Sequence, residues 1–245
     1  MGTVGRDGGS YAERLRNLGI ATDGVRVIEE AYTAQAFIIT DLDDNQITAF
    51  HPGAMNLSHR TRVEDVENIG LGIVAPDGKD GMQAHAAQFA ARNIPFLFDP
   101  GQGLPLFSGA ELAELIERSA YVAVNDYEAK LLSERTGWSI ADIADRVDAM
   151  IVTLGAEGSI IHAGGATHVI PAVHPSAVVD PTGCGDAYRA GLLYGIAAGW
   201  DWQRTGNLAS VMGSIKIACR GGQNHVVDRE AVAERYREAF GERPW

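Results

Sequence analysis

The sequence predicts an α/β protein, a sheet of parallel β-α-β units with helices covering both faces, and three observations carry that expectation. From Leu71 onward, short apolar runs alternate with stretches of helical spacing. The 245 residues are 46% hydrophobic, enough to bury a sizeable core. No internal repeat, low-complexity tract or polar linker interrupts them, so one domain over residues 1–245 is expected.

The elements follow in order. Residues 8–19 carry Tyr11, Leu15 and Leu18 at helical spacing and end in Gly19, which predicts a short helix with a glycine C-cap. The runs VRVIEE, AQAFIIT and QITAFH read as strands, the last two forming a hairpin around Asp43 and Asp44. Then come a buried strand LGIVAP, a helix DGMQAHAAQFAARN, a strand IPFLFDP, a helix GAELAELIERS and a strand YVAVN. Helices YEAKLLSERTG and SIADIADRV precede a strand AMIVTLG, a hairpin GSIIHAGGATHVIPA, and helices near 185–198 and 205–219.

Composition narrows the function. Twenty basic against thirty-two acidic residues give a net charge of −12, which repels a phosphate backbone and disfavours nucleic acid or an anionic membrane as partner. A small molecule is favoured. Cys184 and Cys219 lack paired spacing, and no apolar run is long enough to span a bilayer, so a reduced, cytoplasmic setting is expected. The seven histidines show no metal-ligand spacing, and the acidic group Asp41, Asp43, Asp44 reads as turn chemistry.

In open α/β sheets ligands bind beyond the carboxyl ends of the strands. Four clusters fall just after predicted strands: Asp99, Asn125, Thr153 with Gly155, and Asp180 to Asp186. The last is the densest, VVDPTGCGDAYRAGLL. Glycine and aspartate are poor interior residues for helix or strand, so packing alone does not select this cluster. Two readings stand for it. Asp186 is a first-turn capping acid, or it is a general base beside backbone N–H groups that bind an anion. Asn125 and Glu128 likewise form either a capping box or one face toward a hydrated Mg²⁺.

DPTGCGDAYRAG resembles the signature of the PfkB family of carbohydrate and nucleoside kinases, with Pro181 for the usual Thr and Cys184 for the usual Ala. VNDYEAKLL and IVTLGAEGS are similar to two further family motifs, and the resemblance runs from Val4 along nearly the whole chain. It implies a ribokinase-like three-layer α/β/α fold, mostly parallel, with a small β lid from strands within 26–56. It also implies an ATP- and Mg²⁺-dependent kinase, and it leaves a monovalent cation open. Asp186 is then the catalytic base, and the backbone of Gly183, Cys184 and Gly185 is the anion hole. Thr153, Gly155, Gly158, Asn125, Glu128, Asp180, Thr182 and Gly222 are expected on the nucleotide side, with Glu128 reaching the metal through water. RGGQNH, from Arg220 to His225, falls where the family closes over the base and sugar of ATP. No Walker-type phosphate loop occurs.

For the acceptor, FDPGQG and FHPGAMN look most like bacterial adenosine kinases of the family. Gln102 stands where many of the sugar kinases carry an arginine, which favours a neutral acceptor over an anionic one. Gln35, Phe37 and Phe50 on the lid strands offer an amide and aromatic faces for a purine, although aromatics in strands are more often core. The alternatives are a sugar kinase for ribose or fructose, and a nucleotide-binding protein without turnover. Family members normally begin with a strand bearing a substrate-binding aspartate and a Gly-Gly-x-x-x-Asn segment. Neither precedes TVGRDGGSYAERL, and Gly8-Gly9 is no substitute, so the chain reads as N-terminally incomplete. Pairing of lid strands between two copies is open, as is a monomer.

Overall fold

The computed structural model describes residues 1–40 and 46–245. The turn expected at Asp43 and Asp44, with Asp41, lies outside the described residues. The chain forms two compact units, Met1–Ser119 and Ala120–Trp245.

In the first unit, strand β1 (Gly2–Gly5) leads through helix α1 (Gly9–Asn17) to a parallel partner β2 (Val25–Ile28). Gly19 ends this helix as expected. With φ +75° it lets its own N–H reach Arg16 O at 2.9 Å and the Ile20 N–H reach Leu15 O at 3.0 Å, the paired closure of a Schellman motif. Strand β1 itself was not foreseen, because a four-residue run with two glycines carries no strand signal. β3 (Gln35–Thr40) and β4 (Gln46–His51) pair antiparallel. A second parallel unit follows: β5 (Gly72–Val74), α2 (Lys79–Ala91) and β6 (Phe96–Phe98). A short 3₁₀ turn, Gly101–Leu106, then leads to α3 (Gly109–Arg118). Ser108 and Glu111 close a capping box at the start of α3, and Lys79 of α2 pairs with Glu111 at 2.8 Å, so the cap also fastens the two helices.

The second unit is built on β7 (Tyr121–Asn125) and β8 (Ala149–Thr153), which pair parallel across α4 (Asp126–Thr136) and α5 (Ile140–Ala144). Val122 to Val124 and Ala149 to Ile151 are fully buried, the continuous apolar run of a strand covered on both faces. β9 (Ser159–Ala163) and β10 (Ala166–Ile170) add an antiparallel hairpin to β8. Helices α6 (Cys184–Ala197), α7 (Trp202–Ile217) and α8 (Arg229–Phe240) complete the unit. α7 begins three residues before the sequence expectation because Asp201 caps it, its carboxylate accepting the Arg204 N–H at 2.9 Å. α8 was missed. Asp228 caps it, and it buries Val232 and Tyr236 against Leu208 and Val211 of α7.

α6 and α7 approach very closely. A Cβ added at Gly191 would lie 2.5 Å from Ala209 Cα, and one at Gly195 would meet the Thr205 side chain at 2.5 Å. Glycines on one helix thus let the backbone of the other take the place of a side chain, which fixes the N-terminus of α6 with little play. Among the described residues no helix is long and apolar enough to cross a membrane.

Candidate active site

The segment before α6 folds into a turn organised around Asp180. Asp180 Oδ1 accepts the Thr182 N–H at 2.9 Å and Oδ2 accepts the Gly221 N–H at 2.7 Å, so one carboxylate ties the turn to the loop after α7. These donors, Thr182 foremost, hold its pKa at about 2. Gly183, the N-cap of α6, sits at φ +81°, ψ 7°, a left-handed conformation natural to glycine. Its missing side chain admits the next strand of backbone: a Cβ there would be 3.0 Å from Gly222 O.

The first donors of α6 then divide. The Cys184 N–H is taken by Pro181 O at 3.1 Å, and helical bonding begins with the Ala187 N–H on Gly183 O at 3.0 Å. Gly185 and Asp186 precede any intrahelical acceptor, so their N–H groups, with that of Gly183, are left to an anion, and of the expected Gly183, Cys184 and Gly185 amides only that of Cys184 is already bonded within the turn. The Cys184 thiol points back toward Asp180 O at 3.9 Å, and burial pushes its pKa up, so it stays a protonated, unreactive filler. Asp186 is exposed, with Oδ2 3.6 Å from the Cβ position of Gly183, so the carboxylate lies over the mouth of the turn. Arg189, buried one turn on, brings Nη1 to 3.4 Å of the Cβ position of Gly185 and donates Nη2 to Ala123 O at 3.4 Å, which ties α6 to β7.

Residues at the ends of β7 and β8 lie beside one another, since Asn125 pairs with Thr153 in register. Asn125 and Glu128 form a complete capping box: Asn125 Oδ1 accepts the Glu128 N–H at 2.7 Å, and Glu128 Oε2 accepts the Asn125 N–H at 2.8 Å. Each keeps a second polar atom, an amide NH₂ and one carboxylate oxygen, for another partner. Among the described residues no group of three or more His, Cys, Asp or Glu forms a metal cage. One carboxylate and one amide fit a Mg²⁺ that retains most of its waters. Thr153 Oγ1 donates to Val124 O at 3.3 Å. Gly155, at φ +59°, has open space at its Cβ position, whereas that of Gly158, at φ +94°, is filled by Ile170 O at 2.1 Å. Gly155 leaves room for a ligand and Gly158 shapes the turn into β9.

The acceptor-side candidates lie in the first unit. Gln35 and Phe37 are exposed on one face of the β3–β4 hairpin, and His51, cross-strand from Gln35, shares that face. Phe50 pairs with Ala36 and therefore lies on the opposite face, which corrects its grouping with Gln35 and Phe37. Gln102 is exposed in the turn after β6, while Asp99 at the end of that strand is buried. Asp77 was not foreseen. It follows β5, and burial raises its pKa.

Asp180 gives a pH prediction. Its folded pKa of about 2 lies below the ordinary carboxylate value, so its contribution to stability is complete above about pH 4 and fades as pH falls toward 2. Asp180→Asn is expected to lower the urea midpoint at pH 7, with the gap to the parent protein narrowing as pH falls from 4 toward 2. A gap that does not change with pH would show that charge at this position is irrelevant.

A model of the pfkB family of carbohydrate kinases matches residues 1–229. The chain is 34% identical over 225 residues to a nucleoside kinase of Methanocaldococcus jannaschii, covering 92% of this chain and 74% of that one. It also resembles the solved nucleoside kinase of Burkholderia thailandensis. The inosine complex matches with a TM-score of 0.97 at 52% identity, over 99% of this chain and 80% of that one. The complex described as ADP-inosine matches with a TM-score of 0.96 at 52% identity, over 100% and 77%. By these likenesses the protein is a phosphotransferase with a hydroxyl group as acceptor. The chain belongs to the pfkB family of carbohydrate kinases, and its fold is ribokinase-like.

Proposed function

We propose that the protein is an ATP-dependent kinase that transfers the γ-phosphoryl group to the 5′-hydroxyl of a neutral nucleoside, adenosine foremost, giving AMP and ADP. The observation that carries the reading is the Asp186 carboxylate set over the Gly183 turn, beside the Gly185 and Asp186 N–H donors at the start of α6. A carboxylate next to an anion-binding helix end is unfavourable unless the two act on different partners. Here Asp186 takes the proton of the acceptor hydroxyl. That oxygen attacks the γ-phosphorus, and the bond to the β,γ-bridging oxygen breaks with its electrons leaving on ADP. The N–H groups, in line with the helix dipole, stabilise the charge of the transferring group.

Asn125 and Glu128 would hold a hydrated Mg²⁺, and the ion would supply charge neutralisation on the phosphates. Thr153, Gly155, Gly158, Asp180, Thr182 and Gly222 frame the nucleotide side. His225 Nδ1, buried with no hydrogen-bond partner among the described residues, offers a further polar contact there. Gln35, Phe37 and Gln102, all in the first unit, are the candidates for binding the acceptor. Similarity to a nucleoside kinase solved with inosine supports a purine nucleoside over a free sugar and adds inosine as an acceptor to test. Phe37, Ile39 and Ile47 make one exposed apolar face of the hairpin, which suits pairing between two copies. Two free cysteines suit a reduced, cytoplasmic setting.

The test is mass spectrometry of the products formed with ATP, Mg²⁺ and equimolar adenosine, inosine, ribose and fructose. AMP or IMP is expected, with AMP dominant. A sugar phosphate as main product would overturn the nucleoside reading. ATP binding without any product would leave a nucleotide-binding protein.

A further inference from the structure

The turn before α6 is closed from below by a buried positive charge. Lys216, in the last turn of α7, is 0% exposed, and its Nζ donates to Asp180 O at 2.9 Å and to Cys219 O at 3.1 Å. The neighbouring backbone is stitched to the same place, with Val179 N–H on Ile217 O at 2.9 Å and Asp180 N–H on Ile217 O at 3.1 Å. An ordinary lysine at a helix C-terminus keeps its head in water while it caps. This one gives up that hydration and among the described residues forms no ion pair, so carbonyl oxygens, the negative end of α7 and the charge of the nearby Asp180 carboxylate offset its desolvation.

Backbone carbonyls converging on a single positive charge are also how proteins hold an alkali cation. At this turn such an ion does not fit, because the ammonium already stands within hydrogen-bond distance of both oxygens. Its charge is felt in the turn: it favours the ionised forms of Asp180 and of the Cys184 thiol at the start of α6. Removing it would take the ammonium donor from two part-buried carbonyls at the point where the loop after α7 grips Asp180.

Taking the phosphoryl-transfer reading as given, we propose that Lys216 is a positioning residue, a tethered cation that locks the Asp180–Gly185 turn to the loop after α7, so that catalysis needs no alkali cation. Lys216, a lone lysine in SIKIACR, was not singled out from the sequence, because sequence alone gives no partner for it.

The test uses the whole chain with Mg²⁺, ATP and nucleoside in a buffer whose only monovalent cation is tetramethylammonium, with KCl then titrated in. The parent protein is expected to change by less than about twofold in kcat. Lys216→Ala is expected to lose about a hundredfold in kcat, the scale of a small misplacement of catalytic groups, with KM for ATP changed far less. K⁺ or NH₄⁺, which fit the emptied position, should recover part of that loss, and tetramethylammonium should not. Strong K⁺ activation of the parent protein, or parental kcat in Lys216→Ala, would overturn the proposal. Melting temperatures in K⁺ and in tetramethylammonium supply a readout that needs no turnover. K⁺ should raise the melting temperature of Lys216→Ala only, and a rise in the parent protein overturns the proposal. If the parent protein makes no product while this thermal pattern holds, the kinase reading fails and the tethered cation stands. Should Lys216→Ala not fold, Lys216→Arg takes its place. Arginine retains the charge but not the compact head, so K⁺-insensitive, reduced kcat is expected, and undiminished kcat counts against the proposal.

Discussion

Asp186→Asn is expected to lower kcat by about 10²- to 10⁴-fold, the range for loss of a general acid–base group, and to leave nucleotide affinity within about threefold. The substitution is chosen because Asp186 has two possible employments, and asparagine separates them. As a first-turn acid of α6 it favours the helix dipole, a contribution of about 0.3–1 kcal/mol for an exposed carboxylate, and asparagine keeps the shape and the acceptor oxygen while losing only the charge. A cap would therefore give a small change in urea midpoint and an active protein. A base would give a stable protein that binds ATP and barely turns over, because the amide cannot take the proton of the attacking hydroxyl. Calorimetric titration with ATP together with kcat decides between them. A kcat within tenfold of the parent protein removes Asp186 from the chemistry, and lost ATP binding makes it a structural residue of the turn.

Much of this arrangement was open to a reader of the sequence, because the determinants are local. The helix α4 begins where Asn125 and Glu128 announce a capping box, and the structure forms both of its hydrogen bonds. Gly19 closes α1 through two backbone bonds whose geometry needs only a positive φ. The apolar runs of β7 and β8 are buried as their lack of alternation implies. What escaped the sequence depends on distant partners. Asp180 looks like one more turn aspartate until Gly221, 41 residues away, is found on its second oxygen. Lys216 becomes informative only when its ammonium is traced to Asp180 O, 36 residues back along the chain. Phe50 was misgrouped because composition identifies an aromatic strand but only the register, Ala36 opposite Phe50, fixes the face. In the anion-binding turn the glycines were legible. The commitment of the Cys184 N–H to Pro181 was not, and that bond selects which amides remain for a ligand.

Gly183→Ala is expected to lower kcat by about a hundredfold and stability by about 1–3 kcal/mol, and the two losses have separable causes. One is backbone strain: φ +81° asks an alanine to occupy the left-handed region at a cost of about 1–2 kcal/mol. The other is crowding, since the new methyl would stand 3.0 Å from Gly222 O and 3.2 Å from Gly222 Cα. Relief requires the loop at Gly222 to move or the turn to rotate, and either shifts the Gly185 and Asp186 N–H groups from the position they hold for an anion. Gly137 provides the control, because at the C-terminus of α4 it adopts φ +74°, ψ 9° with nothing within 4 Å of its Cβ position. Gly137→Ala should therefore show the strain alone, with a similar shift in urea midpoint and parental kcat. Equal kcat losses in the two variants would mean that stability, and not the placement of the turn, limits activity. A full loss at Gly183 with none at Gly137 would tie catalysis to the contact between the helix start and Gly222, the same junction that Asp180 and Lys216 hold from either side.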